Sequence, residues 1–239
     1  MRVAVILPAA GLGTRMGRTQ PEKAGTSRKQ FMLLDGAPIL VHTIRKFLIP
    51  SVREIVVALR ADDMTWVREI LSADTFARVR LVAGGDSRQQ SVENALAGLS
   101  PDTELVAVHD AVRPFVEQQV IDNVFNEAAA TGAAIVGIVP VDTVKQVHRN
   151  KIRQTLPRER LILTQTPQVF RYALLREAFQ KAREDGFVGT DESSLVERLE
   201  KVEVSVVPGS DRNIKITKPT DMDLARLFLA EEAARRKAS

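Results

Sequence analysis

An α/β fold, with a mostly parallel sheet covered by helices on both faces, is predicted by three observations. Apolar runs rich in β-branched residues alternate with amphipathic stretches in the order β-α-β-α-β. The 239-residue chain is 44% hydrophobic, enough to bury a substantial core within a single domain over residues 1–239. Its first strand candidate also runs straight into a glycine-rich segment, as happens where a strand hands over to a ligand-binding loop.

Taken in order, Val3-Ala4-Val5-Ile6-Leu7-Pro8 reads as a buried strand, and further strands are expected near 53–59, 78–82, 104–108 and 133–139. Helices are expected near 38–48, 63–72, 88–98, 117–131, 171–184, 190–199 and 219–235. Ser87 or Asp86 can cap the helix that starts at 88. Between about 140 and 163, two short alternating runs flank the polar Arg149-Asn150-Lys151, which predicts a protruding β-hairpin. Its exposed Val and Leu side chains call for a partner surface, and homodimerisation through this arm is the expectation. Asn213-Ile214-Lys215-Ile216-Thr217 reads as a short strand whose Lys215 faces either a ligand or solvent. Residues 18–28 are polar and show no periodicity.

Composition removes several functions. Cysteine is absent, which excludes disulfides, thiol nucleophiles and Cys-ligated zinc. The net charge is only +4 and aromatics are 5%, so no nucleic-acid partner is expected. The N-terminal apolar run is too short to span a bilayer and ends in glycines, so no membrane is expected and a cytoplasmic location is. Gly11-x-Gly13-x-x-x-Gly17 is not the dinucleotide fingerprint, and no Walker motif occurs.

Ligands of parallel sheets bind beyond the carboxyl ends of the strands, where three loops stand out. Ala9 to Gly17 is nearly free of bulky side chains, so backbone N–H groups can approach a polyphosphate, and Arg15 adds a charge there. The other two are Gly84-Gly85-Asp86-Ser87-Arg88 and His109-Asp110-Ala111-Val112-Arg113. A nucleoside triphosphate attacked at its α-phosphorus needs cations, backbone donors and usually a divalent metal. Arg15 and Lys29 suit the triphosphate, and Asp110 at a strand end suits Mg²⁺. Lys23 and Arg28 read as surface charges, and His109 as a packing residue. Arg113, Arg158, Thr143, Thr166 and Thr190 suit the phosphate of a second substrate.

Eight motifs in order resemble those of the 2-C-methyl-D-erythritol 4-phosphate cytidylyltransferases. They are Pro8-Ala9-Ala10-Gly11-x-Gly13-x-Arg15-Met16-Gly17, Lys29-Gln30-Phe31, the Gly84 and His109 loops, Asp142-Thr143-Val144-Lys145, Thr166-Pro167-Gln168, Thr190-Asp191-Glu192 and Asn213 to Thr217. The resemblance spans nearly the whole chain and implies a Rossmann-like nucleotidyltransferase whose β-arm crosses a homodimer. It implies transfer of CMP from CTP to methylerythritol phosphate, with Mg²⁺ on Asp110. Arg15, Lys29, Arg158 and Lys215 would be catalytic. Ala9, Ala10, Gly11, Gly13, Gly85, Asp86, Ser91 and Ala111 would bind CTP. Arg113, Thr143, Arg158, Thr166 and Thr190 would hold the second substrate, Thr143 and Arg158 from the partner subunit. Two departures are a longer stretch between Gly17 and Lys29, and Val112 where alanine is usual. The rival readings are a ribitol 5-phosphate cytidylyltransferase and a noncatalytic nucleotide sensor.

Overall fold

Strand β1 (Val3–Pro8) shows how the layers arise. Val3, Val5 and Leu7 enter one core while Ala4 and Ile6 enter another, because successive side chains of a strand point to opposite faces. The computed structural model describes residues 1–11 and 28–238. Gly13, Arg15, Gly17, Lys23 and most of the 18–28 stretch lie outside the described residues.

After a 3-10 turn at Lys29–Phe31, β2 (Leu33–Leu34) and β3 (Ala37–Pro38) form a small hairpin leading into α1 (Ile39–Lys46). Then come β4 (Val52–Leu59), α2 (Met64–Ile70), α3 (Ala73–Phe76), β5 (Val79–Ala83), α4 (Arg88–Ala97) and β6 (Leu105–Val108). Helix α5 (Gln118–Thr131) precedes β7 (Ala133–Ile138), β8 (Val144–His148) and β9 (Lys151–Leu156). The chain closes with β10 (Leu163–Arg171), α6 (Tyr172–Glu184), α7 (Glu192–Glu197), β11 (Ser205–Pro208) and α8 (Pro219–Ala238).

Seven strands form the central sheet in the order β11-β7-β10-β6-β1-β4-β5. All neighbours are parallel except β10, which runs antiparallel to both β6 and β7. Helices α1, α2 and α5 cover one face, and α4, α6 and α7 the other. A third apolar cluster joins Leu34, Ile39, Val112, Phe115 and Ile216 to Met222 and Ala225 of α8. Ser87 caps α4 by accepting the Gln90 N–H, and α5 stops at Gly132, whose φ of 99° a side chain would oppose.

Strands β8 and β9 make a separate two-stranded sheet. Arg149 and Asn150 both have positive φ, the geometry of a tight two-residue hairpin turn. The segment Asn213–Thr217 corrects one expectation: it is not a strand. Its anchors point different ways, so no ladder forms: Ile216 N–H donates to the Val112 carbonyl, and the Thr217 and Lys218 N–H groups donate to Asp221. Strands β10 and β11 have no counterpart in the strands expected from the sequence.

Candidate active site

The carboxyl ends of β1, β4, β5 and β6 face one cavity of about 520 Å³. Ala9, Ala10 and Gly11 follow β1; Arg60 follows β4; Gly85, Asp86, Ser91 and Arg88 follow β5; and Asp110 and Ala111 follow β6. Lys29 and Lys215 complete the lining. The structure thus brings together every described residue expected at CTP, along with two of the four expected catalytic residues. Arg60, Gln30 and Arg88 also line the cavity, and sequence reasoning gave none of them a role.

Gln30 is buried, and its Nε2 donates to the carbonyls of Ala9 (2.7 Å) and Gly11 (3.2 Å), tying the Lys29 turn to the strand-end loop. Ser91 folds the β5–α4 loop on itself, since its hydroxyl accepts the Gly85 N–H and donates to the Ser87 carbonyl. Gly84 lies where a Cβ would come within 2.5 Å of the Ala10 Cβ and 3.0 Å of the Ser91 Oγ. Gly84→Ala is therefore expected to push Ala10 into the cavity, cost about 1–3 kcal/mol of stability and weaken nucleotide binding. Urea unfolding and calorimetric titration would measure both, and native values for the pair would contradict it.

Asp110 is the electrostatic centre. Its Oδ2 accepts from Lys215 Nζ (2.9 Å) and Arg113 Nε (3.1 Å), and its Oδ1 lies 3.5 Å from Arg88 Nε. Burial would raise the pKa of this carboxyl, but Lys215, then Arg88 and Arg113, outweigh it and hold the group well below the usual carboxylate range. On the far side of Arg88 sits Glu192, buried at the start of α7, with Nη1 at 2.7 Å from Oε1 and 3.0 Å from Oε2. Burial pushes the Glu192 carboxyl up, and Arg88 partly offsets this.

His109 is fully buried, which lowers its pKa to about 4, so the ring is neutral. Nε2 lies 3.0 Å from the Arg113 carbonyl, which can only accept, so Nε2 carries the proton and Nδ1 accepts from the Thr166 hydroxyl at 3.0 Å. The Thr166 oxygen in turn accepts the Asp110 N–H at 3.1 Å. This chain pins the backbone of the Asp110 loop.

Within one chain, Arg113, Thr143, Arg158, Thr166 and Thr190 do not line the cavity. Arg113 is spent on Asp110 and the Asn213 carbonyl, and Thr166 on the His109 chain. Thr143, Arg158 and Thr190 are exposed, with Arg158 donating to the Val141 carbonyl at the base of the hairpin. Arg28 corrects another expectation, because it is not a free surface charge but pairs with the buried Asp63.

A wall of cations set around one ionised carboxylate is built to meet a phosphate chain, and its delivery from parallel strand ends places the protein among the Rossmann-like nucleotidyltransferases. The family model of IspD, 2-C-methyl-D-erythritol 4-phosphate cytidylyltransferase, matches residues 3–231, and the chain belongs to that family. It is 70% identical to the 2-C-methyl-D-erythritol 4-phosphate cytidylyltransferase of Solibacter usitatus, over 98% of both chains. It is 50% identical to that of Acidobacterium capsulatum, over 98% of this chain and 100% of the relative. The crystal structure of the Francisella tularensis enzyme aligns with a TM-score of 0.79 at 31% identity, covering 95% of this chain and 99% of the other.

Proposed function

We propose that the chain transfers the cytidylyl group of CTP to 2-C-methyl-D-erythritol 4-phosphate, a step of isoprenoid biosynthesis. A phosphate oxygen of the acceptor attacks the α-phosphorus, the bond from that phosphorus to the bridging oxygen breaks, and pyrophosphate leaves with the bond's electron pair. The products are 4-diphosphocytidyl-2-C-methyl-D-erythritol and pyrophosphate. The observation that carries this reading is the gathering of Lys215, Arg88 and Arg113 on Asp110 at the wall of a cavity lined by the Ala9–Gly11 and Gly85–Asp86 backbone.

Lys215 and Lys29 neutralise charge that builds on the phosphates, acting where water is partly excluded and charges count for more. Arg15, outside the described residues, shares this role by the resemblance. Ala9, Ala10, Gly11, Gly85, Asp86, Ser91 and Ala111 form the cradle for base and ribose, with Gly13 added by the same resemblance. Mg²⁺ fits the donor set: Asp110, held ionised, lines the cavity, and among the described residues no group of three or more His, Cys, Asp or Glu side chains could hold an ion. That pattern suits an ion taking most of its ligands from phosphate and water, with Asp110 as its protein ligand. When bound, it supplies charge neutralisation to the triphosphate.

The hairpin supports a homodimer in which each arm brings Thr143 and Arg158 to the partner's pocket to hold the methylerythritol phosphate, alongside Arg113, Thr166 and Thr190. Val147 and Ile152 are cross-strand partners and are 61% and 64% exposed, apolar surface suited to a second copy. Placing Asp at both positions is expected to give a monomer in sedimentation and to lower kcat/KM for the acceptor about a hundredfold, with CTP binding retained. A variant that stays dimeric and fully active would refute the arm's role. Among the described residues no helix is long and apolar enough to cross a membrane.

Pyrophosphate release with CTP, Mg²⁺ and each candidate acceptor tests the reaction. Turnover with 2-C-methyl-D-erythritol 4-phosphate is expected. Turnover with ribitol 5-phosphate instead, or CTP binding with no turnover on either acceptor, would overturn the assignment.

A further inference from the structure

Glu192 takes no part in the roles assigned above, yet it is a buried carboxylate one residue away from the pocket. It is 1% exposed and shares a face of α7 with Leu195 and Val196, at spacings of three and four residues. Asp191 caps that helix by accepting the Ser194 N–H, and Gln168 of β10 clamps it, donating to Asp191 and accepting the Ser193 N–H. The first turn of α7, which carries Glu192, is therefore fixed on both sides of that residue before any ligand arrives. Its ion pair is with Arg88, whose Nη1 meets both Glu192 oxygens while Nε faces Asp110.

The pocket lining carries Lys29, Arg60, Arg88 and Lys215 against the carboxylates of Asp86 and Asp110. A cavity so rich in cations holds triphosphate and pyrophosphate alike, and equal grip on ground state and product does not speed turnover. Arg88 is held between two buried carboxylates, Asp110 at the cavity wall and Glu192 behind it.

We propose that Glu192 is a positioning residue that anchors Arg88 on Asp110 and keeps its guanidinium from closing fully on the phosphates, so that pyrophosphate can leave. This rests on the cytidylyltransferase reading above. Without the Glu192 charge, Arg88 turns toward the cavity and the site binds free pyrophosphate more tightly.

Glu192→Gln preserves the buried shape and removes the charge. The inhibition constant of pyrophosphate against CTP is expected to fall about fivefold and kcat to drop, with the KM for CTP equal or lower. A residue that only supports the fold would instead lower the melting temperature without tightening pyrophosphate. Placed in an Arg88→Gln background, Glu192→Gln is expected to leave the pyrophosphate constant unchanged, because the residue acts through Arg88. Should Glu192→Gln fail to fold, Glu192→Asp carries the test: its retracted carboxylate loosens Arg88, and the constant moves the same way by about twofold. An unchanged or weaker pyrophosphate constant in the single variant, or an equal shift in the Arg88→Gln background, overturns the inference. If the unaltered enzyme neither turns over CTP nor is inhibited by pyrophosphate, the cytidylyltransferase reading itself falls.

Discussion

Asp110→Asn is expected to lower kcat/KM by about a hundredfold to a thousandfold and to destabilise the fold by about 3 kcal/mol. The substitution keeps the shape of the side chain and deletes the charge on which three cations converge. Arg88 retains Glu192, and Arg113 retains the Asn213 carbonyl, so neither guanidinium is wholly abandoned. The Arg113–Asp110 pair is the costly loss, since both side chains are about nine-tenths buried and the stranded charge has little water to turn to. Lys215 loses the carboxylate that fixes it at the cavity wall, so a cation needed in the transition state becomes a mobile one. Steady-state kinetics with both substrates and urea unfolding at pH 7 measure the two effects. Because the net positive charge of the pocket rises, CTP affinity is expected to hold or improve while turnover collapses. Turnover close to that of the unaltered enzyme would remove Asp110 from the mechanism.

Stability is expected to fall by roughly 2–3 kcal/mol between pH 7 and pH 4.5 through His109 alone. Burial lowers this imidazole from its ordinary 6.5 to about 4. Between those values the unfolded chain takes up a proton that the folded chain refuses, so lowering the pH favours unfolding. The contribution is complete above about 6.5 and is lost as the pH falls toward 4. The buried Glu192 carboxyl, pushed upward by its surroundings, acts with the opposite sign, because its folded form keeps a proton that the unfolded form gives up above the ordinary glutamate range. Comparison with His109→Gln isolates the imidazole. The variant is expected to be less stable at pH 7, where it loses the edge contact with Phe47 and the Thr166 bond, and to show a shallower slope toward acid. Parallel slopes for the two proteins would mean that His109 titrates normally.

Most of the sheet was legible because parallel strands buried on both faces must be apolar throughout. The runs at 53–59, 78–82, 104–108 and 133–139 agree with β4, β5, β6 and β7 to within a residue or so at each end. Strand β10 escaped for the converse reason. Pro167 interrupts it at a shift of register with β7, and Gln165, Thr166 and Gln168 are buried yet polar, satisfied by partners that only the fold supplies. Nothing local distinguishes such a stretch from a loop. The loops after β1, β5 and β6 were readable from their small residues and their place after strands. The pairing of Arg88 with Glu192 was not, since 104 positions separate two charges that read singly as solvated ends of helices. One hint was present: Glu192 stands three and four places before Leu195 and Val196, which puts a carboxylate on an apolar stripe.

The reversed strand acts as a ruler for the molecule. Along β10, Thr166 reaches the backbone of Asp110, and two residues further on Gln168 reaches the cap of α7. The spacing between nucleotide wall and buried carboxylate is thus measured out by the short stretch from Thr166 to Gln168. Adding or deleting one residue there would turn the Gln168 carboxamide to the opposite side of the sheet and uncouple the two ends together. The Arg149–Asn150 tip belongs to a separate sheet, so its length can change without disturbing that measure. The hairpin tip can lengthen or shorten while the ruler keeps its gauge.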